Sequence, residues 1–182
     1  RESVTPELSN DETTLLHLWI NENDFRMGGS CLYQSYGLYG GETPDLEKPK
    51  QLKRLFNSTQ KLLKQHKICA LHDISDGGLI TSLLEMSLCS GKGLSINLNL
   101  SDKSKIIPKL FSEEIGLVVE VPNKHLKGVK DYYQEKDIYC EEIAKKSVEK
   151  TFKLINFNEE IFSVDTNTLF KSWDSMSHQV QS

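Results

Sequence analysis

A short apolar run, Ile68 to Leu71, breaks off into His72-Asp73-Ile74-Ser75-Asp76-Gly77-Gly78, and an apolar helical pattern resumes over residues 79–88. A buried strand that ends on two aspartates and two glycines and turns straight into a helix constrains a fold strongly. Strand and helix must occupy adjacent layers. The turn between them lies at the carboxyl end of the strand, where open α/β sheets hold their ligands. Backbone N–H groups of a first helical turn point into such a corner, and glycine lets a ligand come close to the chain. Two carboxylates there would repel a bare phosphate, so a ligand at this corner brings a cation with it. A second reading is purely structural: Asp76 N-caps the helix and Asp73 closes a turn. The local pattern leaves both open.

The remaining segments alternate between strand and helix patterns, which gives an α/β (α+β) class. Leu15, Leu16, Leu18, Trp19 and Ile20 read as a strand, with His17 embedded as a satisfied core or edge histidine, and residues 21–24 as a turn. Residues 49–66 keep a helical period through Leu52, Leu55, Phe56, Leu62 and Leu63, with lysines on a solvated face. Leu94, Ile96, Leu98 and Leu100 alternate with polar residues, the pattern of a half-buried strand. A short helical segment over 106–111, a strand over 117–121, a helix over 122–134 and a short strand over 138–140 follow. Residues 148–157 and 161–162 read as a hairpin around 156–159, and 166–180 as a terminal helix with Trp173 in the core. Residues 1–12 are polar and read as a loosely held arm or linker, which leaves 13–182 as one domain.

Two further stretches bear on chemistry. Arg26-Met27-Gly28-Gly29-Ser30 has the composition of a phosphate cradle built from backbone N–H groups, although Gly-Gly also serves ordinary turns. Glu113-Glu114, just before a strand, faces solvent or ends near the site; spacing alone does not decide.

Composition sets exclusions. A net charge of −4 gives no sign of a nucleic-acid partner, and no apolar run approaches the roughly 18–20 residues of a membrane span. Cys31, Cys69, Cys89 and Cys140 form no C-x-x-C pair, so buried free thiols and a cytoplasmic, reducing setting are expected. The first residue is Arg1, not Met, which suggests a piece of a larger protein. The glycosylation-type tripeptides at Asn57 and Asn99 are chance-level patterns.

Taken as a set, these stretches resemble phosphoribosylformylglycinamidine synthase. The resemblance is carried by residues 72–79 with Leu83-Leu84-Glu85-Met86, by Arg26 to Ser30 with Gln34, by Pro44-Asp45-Leu46, by residues 111–118, and by the closing segment from Leu169 to Met176. It implies an aminoimidazole-ribonucleotide-synthetase C-terminal-domain-like fold, a mixed sheet flanked by helices. It also implies a place in a large enzyme with two tandem ATP-binding halves and a glutaminase domain. There, formylglycinamide ribonucleotide, ATP and glutamine yield formylglycinamidine ribonucleotide. This chain would be the C-terminal domain of the second half. On the same basis Asp73 is the magnesium ligand, and Ser75, Gly77 and Gly78 contact the nucleotide, ATP or ADP. Arg26, Gly28, Gly29 and Ser30 form the phosphate loop, and no catalytic residue is assigned. The expected partners are the preceding ATP-binding domains and the glutaminase domain of the same polypeptide, with no nucleic acid and no membrane. No Gly-x-Cys nucleophile elbow is present, so the domain alone is expected to be inactive. Alternatives are a non-catalytic interaction protein on the same fold, like viral tegument homologues, or another ATP-dependent synthetase or kinase of the superfamily. The intact acidic and glycine motif favours the enzyme.

Overall fold

The computed structural model describes residues 4–21 and 25–181, with side chains through Ser175. Part of the expected arm (1–3) and of the expected turn (22–24) lies outside the described residues. The first half of the chain forms β1 (Thr13–Trp19), α1 (Cys31–Ser35), α2 (Pro49–Lys64), β2 (Ala70–Asp73) and α3 (Gly78–Ser90). The second half forms β3 (Gly93–Asn97), α4 (Ile106–Phe111), β4 (Gly116–Pro122), α5 (Leu126–Gln134), β5 (Tyr139–Ser147), β6 (Thr151–Asn156), β7 (Glu159–Asp165) and α6 (Thr166–Gln181). One seven-stranded sheet runs in the order β2-β4-β1-β5-β3-β6-β7. The β3–β6 pair is parallel and the other neighbours are antiparallel.

The two-residue period of β1 explains the layers. Leu15 enters one apolar cluster, and Leu16 and Leu18 enter another. β4 divides the same way, with Val118 on one side and Val119 and Val121 on the other. Strands that are apolar on both faces must be covered on both. Leu55 and Leu62 of α2 and Val129 and Tyr133 of α5 cover one face; Leu79, Leu83 and Met86 of α3 with Leu110 of α4 cover the other. Each fully buried leucine contributes roughly 1.5–3 kcal/mol. The fold is therefore the expected mixed sheet flanked by helices.

Several particulars differ from the sequence reading; β3, for one, ends at Asn97 and does not run on through Leu98 and Leu100. β5 is nine residues long, well beyond 138–140. Its Glu141, Glu142 and Lys146 interrupt the apolar pattern, but each is paired, with Lys109, Lys130 and Glu120 respectively. Trp173 is not core: it is 45% exposed and lines a surface groove with Phe170. The thiols are free but not buried, since Cys31 and Cys89 are exposed and Cys69 and Cys140 half-buried.

The arm is held more firmly than its composition suggests. Leu8 is 3% exposed in the core. The Ser9 N–H and hydroxyl and the Thr13 hydroxyl donate to the carboxylate of Glu120, a fully buried β4 residue that also pairs with Lys146 at 2.8 Å. Lys92 and Lys146 donate in turn to arm carbonyls at Leu8, Ser9 and Asp11.

His17 is a core residue but not a satisfied one. It stacks on Trp19 at 4.8 Å, and its Nδ1 has no hydrogen-bond partner. Burial first, and the nearby Lys109 ammonium second, push its pKa well below the ordinary value, so the ring is neutral and the orphan nitrogen is tolerated. Lys109 itself lies over the Trp19 ring at 4.2 Å and pairs with Glu141 at 3.0 Å.

Candidate functional site

Strand register brings the two chemistry-bearing stretches together. Trp19 at the end of β1 pairs with Gly116 at the start of β4, and Asp73 at the end of β2 pairs with Leu117. The segments 25–31, 73–78 and 112–116 therefore leave the sheet at one edge of three neighbouring strands.

Glu113 joins the first two. One of its carboxylate oxygens accepts the Cys31 N–H at 2.8 Å and the Gly77 N–H at 2.9 Å. This residue belongs to the Glu113-Glu114 pair that the sequence left undecided. The only signal was its place in Glu-Glu before a strand, and long-range pairing decides what such a residue meets. Ligand atoms of Cys31, Asp76 and Glu113 all lie within 4.8 Å of one another. Burial, then the Glu113 carboxylate, push the Cys31 thiol above its ordinary pKa, so it stays protonated and is a poor ligand. The two carboxylates are hard oxygen donors of the kind Mg²⁺ takes.

Asp76 does not cap α3. The N-cap is Gly77 in the left-handed region at φ +83, with no side-chain cap bond, and its N–H goes to Glu113 from another segment. Asp73 ends β2 with a 73% exposed carboxylate, and Ser75 and Asp76 are exposed beside it. Several oxygen donors thus face outward where the backbone is thin, a donor set that fits a hard cation with a phosphate.

Gly78 explains the thin backbone. Its φ is +74, and a Cβ there would sit 2.7 Å from the Ser112 carbonyl oxygen and 2.8 Å from that of Leu110. Gly78→Ala should cost about 1–3 kcal/mol. Gly91→Ala, also at positive φ but with open space around it, should cost less. Denaturant midpoints of the two variants check the difference.

The 26–30 stretch is arranged differently from an open anion cradle. The Arg26 guanidinium donates to both carboxylate oxygens of Glu114, to Glu47 and to the Asp45 carbonyl. The Glu114 hydrogen bond chiefly, with the surrounding carboxylates, raises its pKa further. Arg26 thus ties segment 45–47 to segment 112–116. Gly28 lies against the chain at Gly41 and Glu42, and its N–H donates to the Glu42 carbonyl at 2.8 Å. Ser30 caps α1 by accepting from the Tyr33 N–H at 3.3 Å. The Ser30 N–H donates back to the Met27 carbonyl at 3.1 Å, and it is the Cys31 N–H, which shares the Glu113 oxygen with Gly77, that the structure brings to this corner, more than Arg26.

The family model for the AIR synthase related protein, C-terminal domain, matches residues 18–155. A probable phosphoribosylformylglycinamidine synthase, chloroplastic/mitochondrial, from Arabidopsis thaliana is 33% identical over 181 residues, 98% of this chain and 13% of that protein. The Homo sapiens phosphoribosylformylglycinamidine synthase is 38% identical over 144 residues, 78% of this chain and 11% of that protein. The chain therefore spans only about an eighth of such relatives. Among solved structures, Thermotoga maritima PurL complexed with FGAR superposes with a TM-score of 0.75 at 14% identity, covering 92% of this chain and 29% of that one. PurL complexed with ATP gives 0.72 at 13% identity, over 91% of this chain and 27% of that one. At these identities the structural likeness speaks for the fold.

Proposed function

Because the chain belongs to the AIR synthase related protein, C-terminal domain family, we propose that it is one domain of a phosphoribosylformylglycinamidine synthase. The enzyme is an ATP-dependent carbon–nitrogen ligase of purine biosynthesis that amidates formylglycinamide ribonucleotide with ammonia from glutamine. The observation that carries this reading is the likeness to the Arabidopsis synthase along 98% of the chain. The likeness to PurL, which has been solved with ATP and with FGAR, supports it.

In this reading residues 13–182 are the domain and 1–12 the arm or linker that joins it to a preceding ATP-binding domain, its Leu8 packed in the core. Asp73 holds Mg²⁺, with Asp76 and Glu113 at hand as further carboxylates. Ser75, Gly77 and Gly78 face the nucleotide, and Gly28, Gly29 and Ser30 form the opposite lip, with Arg26 fastening that lip to Glu114. Magnesium, when bound, screens the phosphates from the aspartates. The chain's own part is to hold the two lips at a fixed spacing through Glu113. Magnesium takes few carboxylates from one segment and fills its shell with phosphate and water. The remaining contacts then come from the preceding ATP-binding domain, and the glutaminase domain supplies ammonia. We place the enzyme in the cytoplasm, although the Arabidopsis relative is described as chloroplastic/mitochondrial. No helix among the described residues is long and apolar enough to cross a membrane.

The test uses the full-length protein. With Mg-ATP and glutamine it should release ADP only when formylglycinamide ribonucleotide is present. ADP release independent of that substrate would overturn the assignment. The isolated chain should show no turnover, and micromolar Mg-ADP binding to it by calorimetry would sink the half-site reading.

A further inference from the structure

Two adjacent carboxylates hold the two ends of the glycine loop at 26–31. Glu114 takes Arg26 at its start: Nε donates to one oxygen at 2.5 Å and Nη2 to the other at 2.9 Å. Glu113 takes the Cys31 N–H at its end, at 2.8 Å. The same Glu113 oxygen accepts the Gly77 N–H at 2.9 Å, so it reaches the 73–78 turn as well. The backbone that carries both carboxylates lies along that turn. Its Gly116 carbonyl accepts from the Ile74 N–H at 3.0 Å, and Gly78 packs on its Ser112 carbonyl.

The start of the loop is the firmer attachment. The Arg26 side chain is only 11% exposed and that of Glu114 6%. Arg26 Nη1 donates to Glu47 at 2.9 Å, and Nη2 also donates to the Asp45 carbonyl at 3.2 Å. Asn21 Nδ2 donates to Glu114 at 2.7 Å and to the same Asp45 carbonyl at 3.2 Å. A planar guanidinium meets a carboxylate with two bonds and still offers donors to other acceptors; an ammonium has the charge without the fork. A buried fork of this kind fixes distance and direction at once. The residue next to Glu114 in the chain is Glu113, whose place is thereby fixed too.

We propose that Arg26 is a positioning residue of the nucleotide corner, acting through Glu114 on the segment from which Glu113 fastens Cys31 and Gly77. This role rests on the nucleotide reading given above. Arg26 touches no phosphate; it sets the spacing between the glycine loop and the 73–78 turn.

The experiment uses the full-length protein and two readouts. The first is amide exchange without nucleotide. Arg26→Lys should speed exchange at Cys31 and Gly77, neither of which touches Arg26, and leave β6 and β7 as in the parent. Unchanged exchange at Gly77 would overturn the proposal, and so would an equal acceleration throughout the domain, the mark of a merely structural role. The second readout is affinity for Mg-ADP and for Mg-ATP. Arg26→Lys should weaken both by the same factor, roughly tenfold, the usual effect of disturbing a group that orients a ligand. A greater loss for Mg-ATP would mean direct contact with phosphate and would overturn the proposal, as would no loss for either. Glu114→Gln should weaken both nucleotides alike, and the double variant should bind no worse than the weaker single one. Losses that multiply in the double variant would show independent roles and refute the coupling. Where Glu114→Gln does not fold, Arg26→Lys alone decides through exchange and through the comparison of the two nucleotides. A parent protein that binds neither nucleotide would overturn the nucleotide reading itself.

Discussion

Glu120→Ala should destabilise the domain by about 3–5 kcal/mol, the usual cost of removing one partner from a buried ion pair. Glu120 is fully buried, and its carboxylate accepts from the Ser9 N–H, the Ser9 and Thr13 hydroxyls and the Lys146 ammonium. Alanine leaves all four donors without that acceptor and frees the arm that carries Leu8 into the core. The loss has a signature in pH. Burial alone would raise the Glu120 pKa, but the Lys146 hydrogen bond, the Ser9 N–H and the Thr13 hydroxyl outweigh it and hold the folded value below the ordinary one. A depressed folded pKa means that the unfolded chain takes up the proton first. The contribution is therefore complete above the ordinary glutamate pKa of about 4.3 and disappears as pH falls through the lower folded value. Urea unfolding at neutral pH and again below about pH 4 checks this. The difference between parent and variant should narrow in acid, and an equal difference at both would refute the linkage.

Glu113→Ala should separate the two lips of the corner. One oxygen of this carboxylate holds the Cys31 and Gly77 N–H groups, and hydrogen bonds to a charged group contribute about 1.5–3 kcal/mol. The variant should lose stability of that order. Its amides at Cys31 and Gly77 should exchange with solvent faster, while those of β1 and β4 should not. Glu113→Gln keeps an acceptor oxygen and should recover most of the protection. In the full-length protein, Mg-nucleotide affinity should follow the same order: parent, Gln, Ala. An alanine variant with unaltered exchange at Gly77 would count against Glu113 as the tie.

Much of the fold was readable along the chain, and the failures have physical causes. The strand–glycine–helix turn at 70–90, the helix at 49–64 and the hairpin at 151–165 follow from local periodicity and turn chemistry. β5 did not, because its charged residues are paired across the sheet and with neighbouring helices, and a single sequence shows charges but not partners. Trp173 fell on an apolar helical stripe, yet α6 lies where its indole remains partly in water. The candidate corner was legible as two separate stretches. That they meet depends on the Trp19–Gly116 and Asp73–Leu117 pairings, which join residues far apart in the chain. The same distance hid the partner of Arg26, which a local reading turns toward phosphate and the folded chain turns toward Glu114.

β7 is the outer strand of the sheet, and nearly all of it is exposed, including Ile161 and Phe162. A free strand edge with apolar side chains invites another chain to add to it. Glu159, Glu160 and Asp165 stand along this one. A second β7 laid antiparallel would bring carboxylate against carboxylate. The acidic border thus acts as a guard against fibrillar self-association, and it belongs to colloidal behaviour, not to ligand chemistry. Its protection is electrostatic, so it weakens as salt screens the charges or as acid neutralises them.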